Sequence, residues 1–340
     1  MPAEPMRAGE RPDLTVITVT HNGREMALQT LRSALGAQGE IAVEWLVVDA
    51  ASADGTPEAI EAELPEVRVI RAENRGFAAS NNVALREARG HYVLLLNPDV
   101  EIRNGTLADL VAAMDARPRL GMAGVLQRGT GGELQESIRR FPSPLRSLGE
   151  SLFAAHWPVA RTLQELETRP ERYAREQRAE WLVGAFLIAR REAVRAVGPM
   201  DERFFLYSEE IDWCYRFWRA GWPLAHLPEI EITHHGGGRS RGDLMAQLSH
   251  SRLLFAEKHY GRARAFGIRA ALGLGHAIRI AVFGLISLAR PERRDRVGAE
   301  RAGLRVIFGA APPLGPYARP ARRPAPAAEP PPQVPAGAAR

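Results

Sequence analysis

The sequence predicts an α/β fold built on a parallel, doubly wound sheet. Three observations carry this. Apolar, β-branched runs alternate with helical patterns through the first hundred residues. Small polar residues stand at the carboxyl ends of those runs, where open parallel sheets bind their ligands. A 340-residue chain with 45% hydrophobic residues can also bury a large core without disulfides or a structural metal.

The elements follow in order. Leu14 to Thr20 is an unbroken apolar, β-branched run and reads as a buried strand. His21-Asn22-Gly23 breaks it, and Leu28, Leu31 and Leu35 then keep helical spacing. Val43 to Asp49 is a second strand and Ser52 to Gly55 a turn. Thr56-Pro57 opens a helix, with proline where its missing N–H costs nothing. Val67 to Ile70 is a third strand, Phe77 to Ala88 a helix, and His91 to Leu96 a fourth strand.

The second half is less regular. Residues 104–127 predict a helix and a strand, while 128–180 are mixed, with loop signals at Gly129–Gly132 and Phe141–Pro144. Val183 to Ala189 is apolar and leads into a short helix ending at Val197. Glu209 to Ala220 and Asp243 to His259 are helices. Met1 to Asp13 is polar, with three prolines and no apolar run, and predicts a flexible segment rather than a secretory signal. Ala311 to Arg340 holds 10 of the 25 prolines and predicts a disordered Pro/Ala/Arg tail.

Composition narrows the function classes. Cys214 is the single cysteine, which excludes an internal disulfide, a zinc ribbon or an iron–sulfur cluster and predicts a reducing compartment. The formal charge of +5 is modest, and the arginines gather toward the C-terminus, as for a local anionic partner. No aromatics interleave with those arginines, so nucleic acid is not an expected partner.

Four segments could carry chemistry. Thr20, Asn22 and Asp49 sit at the first two strand ends, where an aspartate can accept hydrogen bonds from a ribose or a base N–H. Asp54-Gly55 reads as a turn. Asn97-Pro98-Asp99 follows the fourth strand; it could place a carboxylate for Mg²⁺ or Mn²⁺, or simply cap the strand. Between Asp201 and Asp212, five carboxylates surround Phe204, Phe205 and Tyr207. Glu209 and Glu210 fit the first turn of a helix, where the dipole favours negative charge. Apolar walls beside them would raise a carboxyl pKa and suit a general base. His234-His235 precedes Gly236-Gly237-Gly238, and such a histidine is either structural or a metal ligand with backbone close by.

In this order, the motifs resemble the family 2 glycosyltransferases, nucleotide-diphospho-sugar transferases of the GT-A (Rossmann-like) fold. The matching pieces are Val19-Thr20-His21-Asn22, Val47-Val48-Asp49 with Ser52 and Asp54-Gly55-Thr56, Asn74-Arg75-Gly76-Phe77 with Asn81-Asn82, Leu96-Asn97-Pro98-Asp99, Gly184-Ala185-Phe186, Phe204-Phe205 with Glu209 to Asp212, and His234-His235. They span roughly residues 14–240, and the subgroup they look like is the bacterial rhamnosyltransferases of surface-polysaccharide synthesis.

The resemblance implies roles residue by residue. Thr20, Asn22, Asp49 and Ser52 would bind the nucleotide, and Asn74, Gly76, Phe77, Asn82 and Asn97 would flank the nucleotide and sugar. Asn97-Pro98-Asp99 stands where the family has Asp-x-Asp, so Asp99 would carry the metal contact, with His234 a further ligand and His235 possible in that role. Glu210 would be the base, with Asp212 its competitor and Glu209 beside it. Trp181, Gly184 and Ala185 would face the sugar or acceptor. The reaction implied is a single inverting displacement from a dTDP-, UDP- or GDP-sugar, assisted by Mg²⁺ or Mn²⁺, onto a glycan or polyprenyl-diphosphate-linked acceptor.

The predicted organisation is a transferase domain over residues 14–260, with a donor half about 14–127 and an acceptor half about 128–260, then a helical extension over 261–310. Ala270 to Ala289 is apolar except for His276, Arg279 and Ser287. At helical spacing, Arg262, Arg269, His276, Ser287 and Arg290 share a face. The expectation is a helix lying in a membrane interface, arginines toward anionic headgroups, on the cytoplasmic face of the cell membrane. A buried helix or a dimer interface is the alternative. Two other functions compete: a sugar nucleotidyltransferase, which lacks its glycine-rich loop with a following lysine here, and an inactive membrane-associated nucleotide-sugar-binding protein.

Overall fold

The computed structural model describes residues 11–152, 163–236 and 242–310. The expected tail, the first ten residues and Gly237-Gly238 lie outside the described residues. The elements run β1 (Leu14–Thr20), α1 (Arg24–Gly36), β2 (Val43–Ala50), α2 (Thr56–Glu63), β3 (Arg68–Ala72), α3 (Phe77–Glu87), β4 (Tyr92–Leu96), β5 (Val100–Asn104), α4 (Leu107–Asp115), β6 (Met122–Arg128), β7 (Ile138–Arg139) and α5 (Pro144–Ser151). They continue with α6 (Pro170–Tyr173), β8 (Gln177–Ala179), β9 (Trp181–Leu182), β10 (Phe186–Arg190), α7 (Arg191–Val197), α8 (Glu209–Arg219), β11 (Leu224–His234), α9 (Gly242–His259), α10 (Arg262–Ala289), a 3-10 turn at Pro291–Arg293 and α11 (Arg294–Ile307).

The main sheet has the order β3-β2-β1-β4-β10-β6-β11-β5, with β8 on β11; β7 and β9 form a separate pair. As expected, β3, β2, β1 and β4 are parallel. Beyond them, where the sequence left strand direction open, the sheet is mixed. β10 runs antiparallel between β4 and β6, and β5 runs antiparallel to β11. The reason is physical: Phe186, Leu187, Ile188 and Ala189 are all buried, and a strand covered on both faces has the same apolar pattern in either direction. Alternate residues feed opposite layers, so Val16, Leu94 and Ile188 face one core while Ile17, Leu95 and Leu187 face the other.

The extension builds a core of its own, where Leu253 and Ala256 of α9 pack with Ile268 and Leu272 of α10 and Ile307 of α11. The polar side of α10 points into it. Arg269 donates to the Ile307 carbonyl and to Glu257, both at 2.7 Å. His276, 2% exposed, lies 2.7 Å from Glu300 and 2.9 Å from the Ser249 hydroxyl, and Arg279 donates to Glu300 at 2.9 Å. For Arg269 and His276 this corrects the expectation that the polar face would meet headgroups; Arg262 and Arg290 of that face stay exposed. Arg269, His276 and Arg279 are held by the protein. The outward stripe is Phe266, Ala270, Leu274, Ala277, Ala281, Leu285 and Leu288, apolar throughout.

Candidate active site

The site forms at the carboxyl ends of β1, β2 and β4, where successive loops converge. Asp49 ends β2 almost fully buried; its Oδ2 accepts from the Ser52 N–H at 2.9 Å, and Oδ1 is buried without a hydrogen-bond partner. Thr20 Oγ1 is likewise buried and unpartnered. Asn22 takes a left-handed conformation (φ 51°), which asparagine tolerates. Its N–H donates to Ser52 Oγ at 2.9 Å, and its Oδ1 accepts from the Ala53 N–H at 2.8 Å. Asp54, expected as a turn residue, accepts from the Thr56 hydroxyl at 2.5 Å and from the Thr56 and Arg24 backbone. A pocket wall with unmet polar atoms, braced by such turns, can bind a polar ligand such as a nucleoside.

The Asn74–Phe77 segment is fastened to the loop before α8. Phe77 N–H donates to the Phe205 carbonyl at 2.8 Å, and Asn74 Oδ1 accepts from Gly76 N–H at 3.2 Å. Gly76 has φ 96°, and a Cβ there would meet the Phe205 carbonyl at 2.3 Å, so no side chain fits. Asn82 departs from its expected role. Its amide nitrogen donates to the Met200 carbonyl at 2.9 Å and its oxygen accepts from the Met200 N–H at 2.9 Å, so it staples α3 to the chain before the acidic loop.

Asp99 and His234 come together across the sheet, with His234 Nε2 3.5 Å from Asp99 Oδ1. Gln135 fixes the imidazole. Its amide nitrogen donates to the His234 carbonyl at 2.9 Å, so its oxygen accepts from Nδ1–H at 2.9 Å and leaves the Nε2 lone pair toward Asp99. Burial pushes the His234 pKa down, against the raising pull of Asp99, so the ring is neutral near pH 7. A Cβ on Gly236 would fall 2.5 Å from Asp99 Oδ2 and 2.7 Å from His234 Nε2, so only glycine leaves this space open. Asp99 Oδ1 and Asn97 Oδ1 are buried without hydrogen-bond partners. One carboxylate, one oriented imidazole and a glycine cradle fit a divalent cation that takes its remaining ligands from phosphates and water. Among the described residues no group of three or more His, Cys, Asp or Glu side chains could hold a metal alone. His235 instead lies 2.8 Å from Glu101.

Glu209 and Glu210 open α8 directly after Tyr207 and Ser208, two residues with positive φ (67° and 64°). Strain of this kind persists where surrounding contacts over-determine it. Both glutamates have an Oε2 that is buried and unpartnered. Burial raises the pKa of each, and Glu210 adds to the rise at Glu209. Glu209 is the more buried; Glu210 keeps partial exposure, with its Cβ 3.4 Å from where a Cβ on Gly184 would stand. Asp212 behaves in the opposite way. It is fully buried, and its carboxylate takes Lys258 at 2.5 Å, His259 at 2.6 Å and Arg216 at 2.9 Å. Burial alone would raise its pKa, but His259, Arg216 and Lys258 together lower it. Asp212 is a structural anion and is corrected as a base candidate. Trp181 is also core: it is 4% exposed, and its indole N–H donates to the Arg140 carbonyl at 2.9 Å. Ala185 is buried and lends its carbonyl to the Asn97 N–H at 2.9 Å. Gln135, Lys258 and His259 were missed, because partners so remote in sequence leave no local signal.

Residues 15–198 match the glycosyl transferase family 2 profile, described as "Glycosyl transferase family 2". The N-acetylglucosaminyl-diphospho-decaprenol L-rhamnosyltransferase of Mycobacterium tuberculosis is 32% identical over 298 residues, 83% of this chain and 96% of that one. This chain belongs to glycosyl transferase family 2. It is thus an enzyme, a glycosyltransferase, and the nucleotidyltransferase and inactive-binder alternatives fall away. Rhamnosyltransferase WbbL of Escherichia coli K12 is 25% identical over 47% of this chain and 61% of its own length. A solved mannosyltransferase from Pyrobaculum calidifontis, in complex with GDP-Man and Mn²⁺, superposes with TM-score 0.53 over 88% of each chain at 17% identity. The mixed sheet of this glycosyltransferase is the GT-A fold that the motifs implied.

Proposed function

We propose that the enzyme transfers rhamnose from a nucleotide-diphosphate sugar to a hydroxyl of a lipid-diphosphate-linked glycan, with inversion, in cell-surface polysaccharide synthesis. The observation that carries this is the pairing of Glu210, a buried carboxyl with an unpartnered oxygen and a raised pKa, with the open Asp99–His234 cradle. The similarity to rhamnosyltransferases supports the sugar and the acceptor.

In this mechanism Thr20, Asn22, Asp49 and Ser52 hold the nucleoside, while Asn74 to Phe77 and Asn97 border the diphosphate and sugar. Asp99 and His234 hold Mg²⁺ or Mn²⁺, which when bound supplies charge neutralisation at the diphosphate. Glu210 accepts the acceptor hydroxyl proton on Oε2. The hydroxyl oxygen forms its bond to the anomeric carbon as the bond to the nucleotide diphosphate breaks and that electron pair leaves with the diphosphate. Gly184 keeps the approach to Glu210 open. A dTDP-rhamnose thermal shift that needs Mg²⁺ or Mn²⁺, together with rhamnose transfer lost in Glu210→Gln, is the expected result. Full transfer by Glu210→Gln would overturn the assignment.

We also propose that the enzyme is peripheral at the cytoplasmic face of the cell membrane. The outward stripe of α10, with Phe308 82% exposed beside Arg301 and Arg305 of the C-terminal helix, supports an apolar surface rimmed by cations. By length and composition α10 could also cross a bilayer. Its internally paired polar side favours lying in the interface instead.

A further inference from the structure

Two arginines, Arg139 and Arg252, act electrostatically on Glu210, and the reaction above uses neither. With Arg146 they gather around the buried Glu165. Arg252, on α9, donates to Glu150 and Glu165, each at 3.1 Å. Arg146, on α5, reaches Glu180 at 3.0 Å. Both are neutralised. Arg139, on β7, is different. Its Nε donates to the Glu136 carbonyl at 2.9 Å, and among the described residues no carboxylate lies within 4.0 Å of its guanidinium. The planar group instead lies over the Trp181 ring, 5.5 Å from the centroid. It is half-buried, and Glu150 and Glu165 act on it only from beyond ion-pair distance, so a bound phosphate would give a desolvated cation its direct partner.

The strand pairing fixes where this charge sits. Arg139 is opposite Trp181 in the β7–β9 ladder, three residues before Gly184, which lies against Glu210. The chain after β7 leads directly into α5, whose Ser151 donates to the Ala271 carbonyl of α10. Leu145 of α5 and Leu152 just after it are 58% and 49% exposed, adding apolar surface on the element that packs against α10.

We propose that Arg139 binds the diphosphate of a lipid-linked acceptor, setting the acceptor sugar against Glu210 while its lipid runs along the apolar surface. The proposal rests on the glycosyltransferase reading above and names the group that selects its acceptor. The guanidinium is a planar fork that matches phosphate oxygens, and it lies over the Trp181 ring.

The test compares two synthetic acceptors, farnesyl-diphospho-N-acetylglucosamine and farnesyl N-acetylglucosaminide, which lacks the diphosphate. Arg139→Gln should raise KM for the first by roughly ten- to hundredfold and leave KM for the second unchanged. Arg139→Lys should recover part of the loss. Inorganic pyrophosphate should compete with the first acceptor on the wild type and fail to do so on Arg139→Gln. The dTDP-rhamnose thermal shift should be the same in all three proteins. Equal losses on both acceptors would mean a structural role, and a lost donor shift in Arg139→Gln alone would mean a donor-side arginine; either overturns the proposal. A wild type that binds donor but uses neither acceptor also overturns it and leaves the donor site standing. A wild type with no donor shift defeats the underlying reading itself.

Discussion

Two groups of carboxylates meet on helix α8, and they are built in opposite ways. At its first turn, Glu209 and Glu210 each leave an oxygen buried and unpartnered, and across the cleft Asp49 and Asp99 do the same. Asp212, on the same helix, is saturated by Lys258, His259 and Arg216. Burial is common to both groups; the partners differ. In the first group burial raises the pKa of Glu209 and Glu210, whereas in the second the His259 hydrogen bond and the Arg216 and Lys258 cations hold that of Asp212 down. Unmet polar atoms in a folded protein cost stability and persist where a ligand or a proton meets them in function. Saturated ones fasten one element to another. Here the saturated cluster locks α8 onto α9, and so holds Glu210 in place.

The largest expected effect breaks the first group. Glu210→Gln should lower transfer by about 10²–10⁴-fold while the donor thermal shift survives. Stability should move the other way. A carboxyl whose folded pKa is raised contributes stability below its unfolded pKa and loses it as pH rises through the folded pKa. The variant should therefore melt above the wild type at pH 8, and the gap should close toward pH 5. Melting curves at the two pH values check this, and a destabilised variant at pH 8 would mean that Glu210 is paired.

The second group should respond in the reverse sense. Asp212→Asn leaves Lys258, Arg216 and the His259 ring without their shared carboxylate and should cost about 3–5 kcal/mol. The pKa of Asp212 is lowered by its partners, so its contribution is present above the unfolded value and is lost as pH falls through the folded one. Chemical denaturation at pH 7 should show the full loss, shrinking only in strong acid. A variant of native stability with no activity would make Asp212 the base and erase the contrast.

A smaller effect sharpens the metal side. Gln135 touches His234 and no other candidate ligand, and it fixes which ring nitrogen faces Asp99. Gln135→Ala should weaken Mn²⁺ binding by about 10–100-fold in the presence of nucleotide. Calorimetric titration of Mn²⁺ into the protein with dTDP measures it, and unchanged affinity would remove His234 from the ligand set.

The contrast between the two groups was only half legible in the sequence. Strands β1, β2 and β4 announced themselves because buried parallel strands are apolar runs, and their ends carried Thr20, Asp49 and Asp99 into view. Glu209 and Glu210 were visible from the aromatics beside them. What stayed hidden was pairing at a distance. Asp212 stayed in competition with Glu210 as the base, because Lys258 and His259 lie far along the chain and no periodicity reports that contact. Asn82 resembled a nucleotide ligand for the same reason, since Met200 is equally remote. β10 gave its burial but not its direction. The sequence read α10 as amphipathic, yet which side met protein depended on Glu300 and Glu257, outside that helix.

That reversal on α10 sets the smallest prediction. Cutting the chain near Gly261 would be a poor test of membrane binding, because Ile268, Leu272 and Ile307 form the core against which Leu253 and Ala256 pack. Removing them would expose α9, and with it the Lys258–Asp212 lock. Leu285 and Leu288 are better targets, being 71% and 82% exposed and free of that core. Leu285→Asp and Leu288→Asp should leave the melting temperature unchanged, since the altered side chains already face solvent. Each should lower partitioning onto vesicles of phosphatidylglycerol and phosphatidylethanolamine by roughly tenfold, the cost of keeping one leucine side chain out of lipid. Co-sedimentation of both variants at wild-type levels would show that the stripe meets another protein surface, and the membrane assignment would then fail while the catalytic site stood.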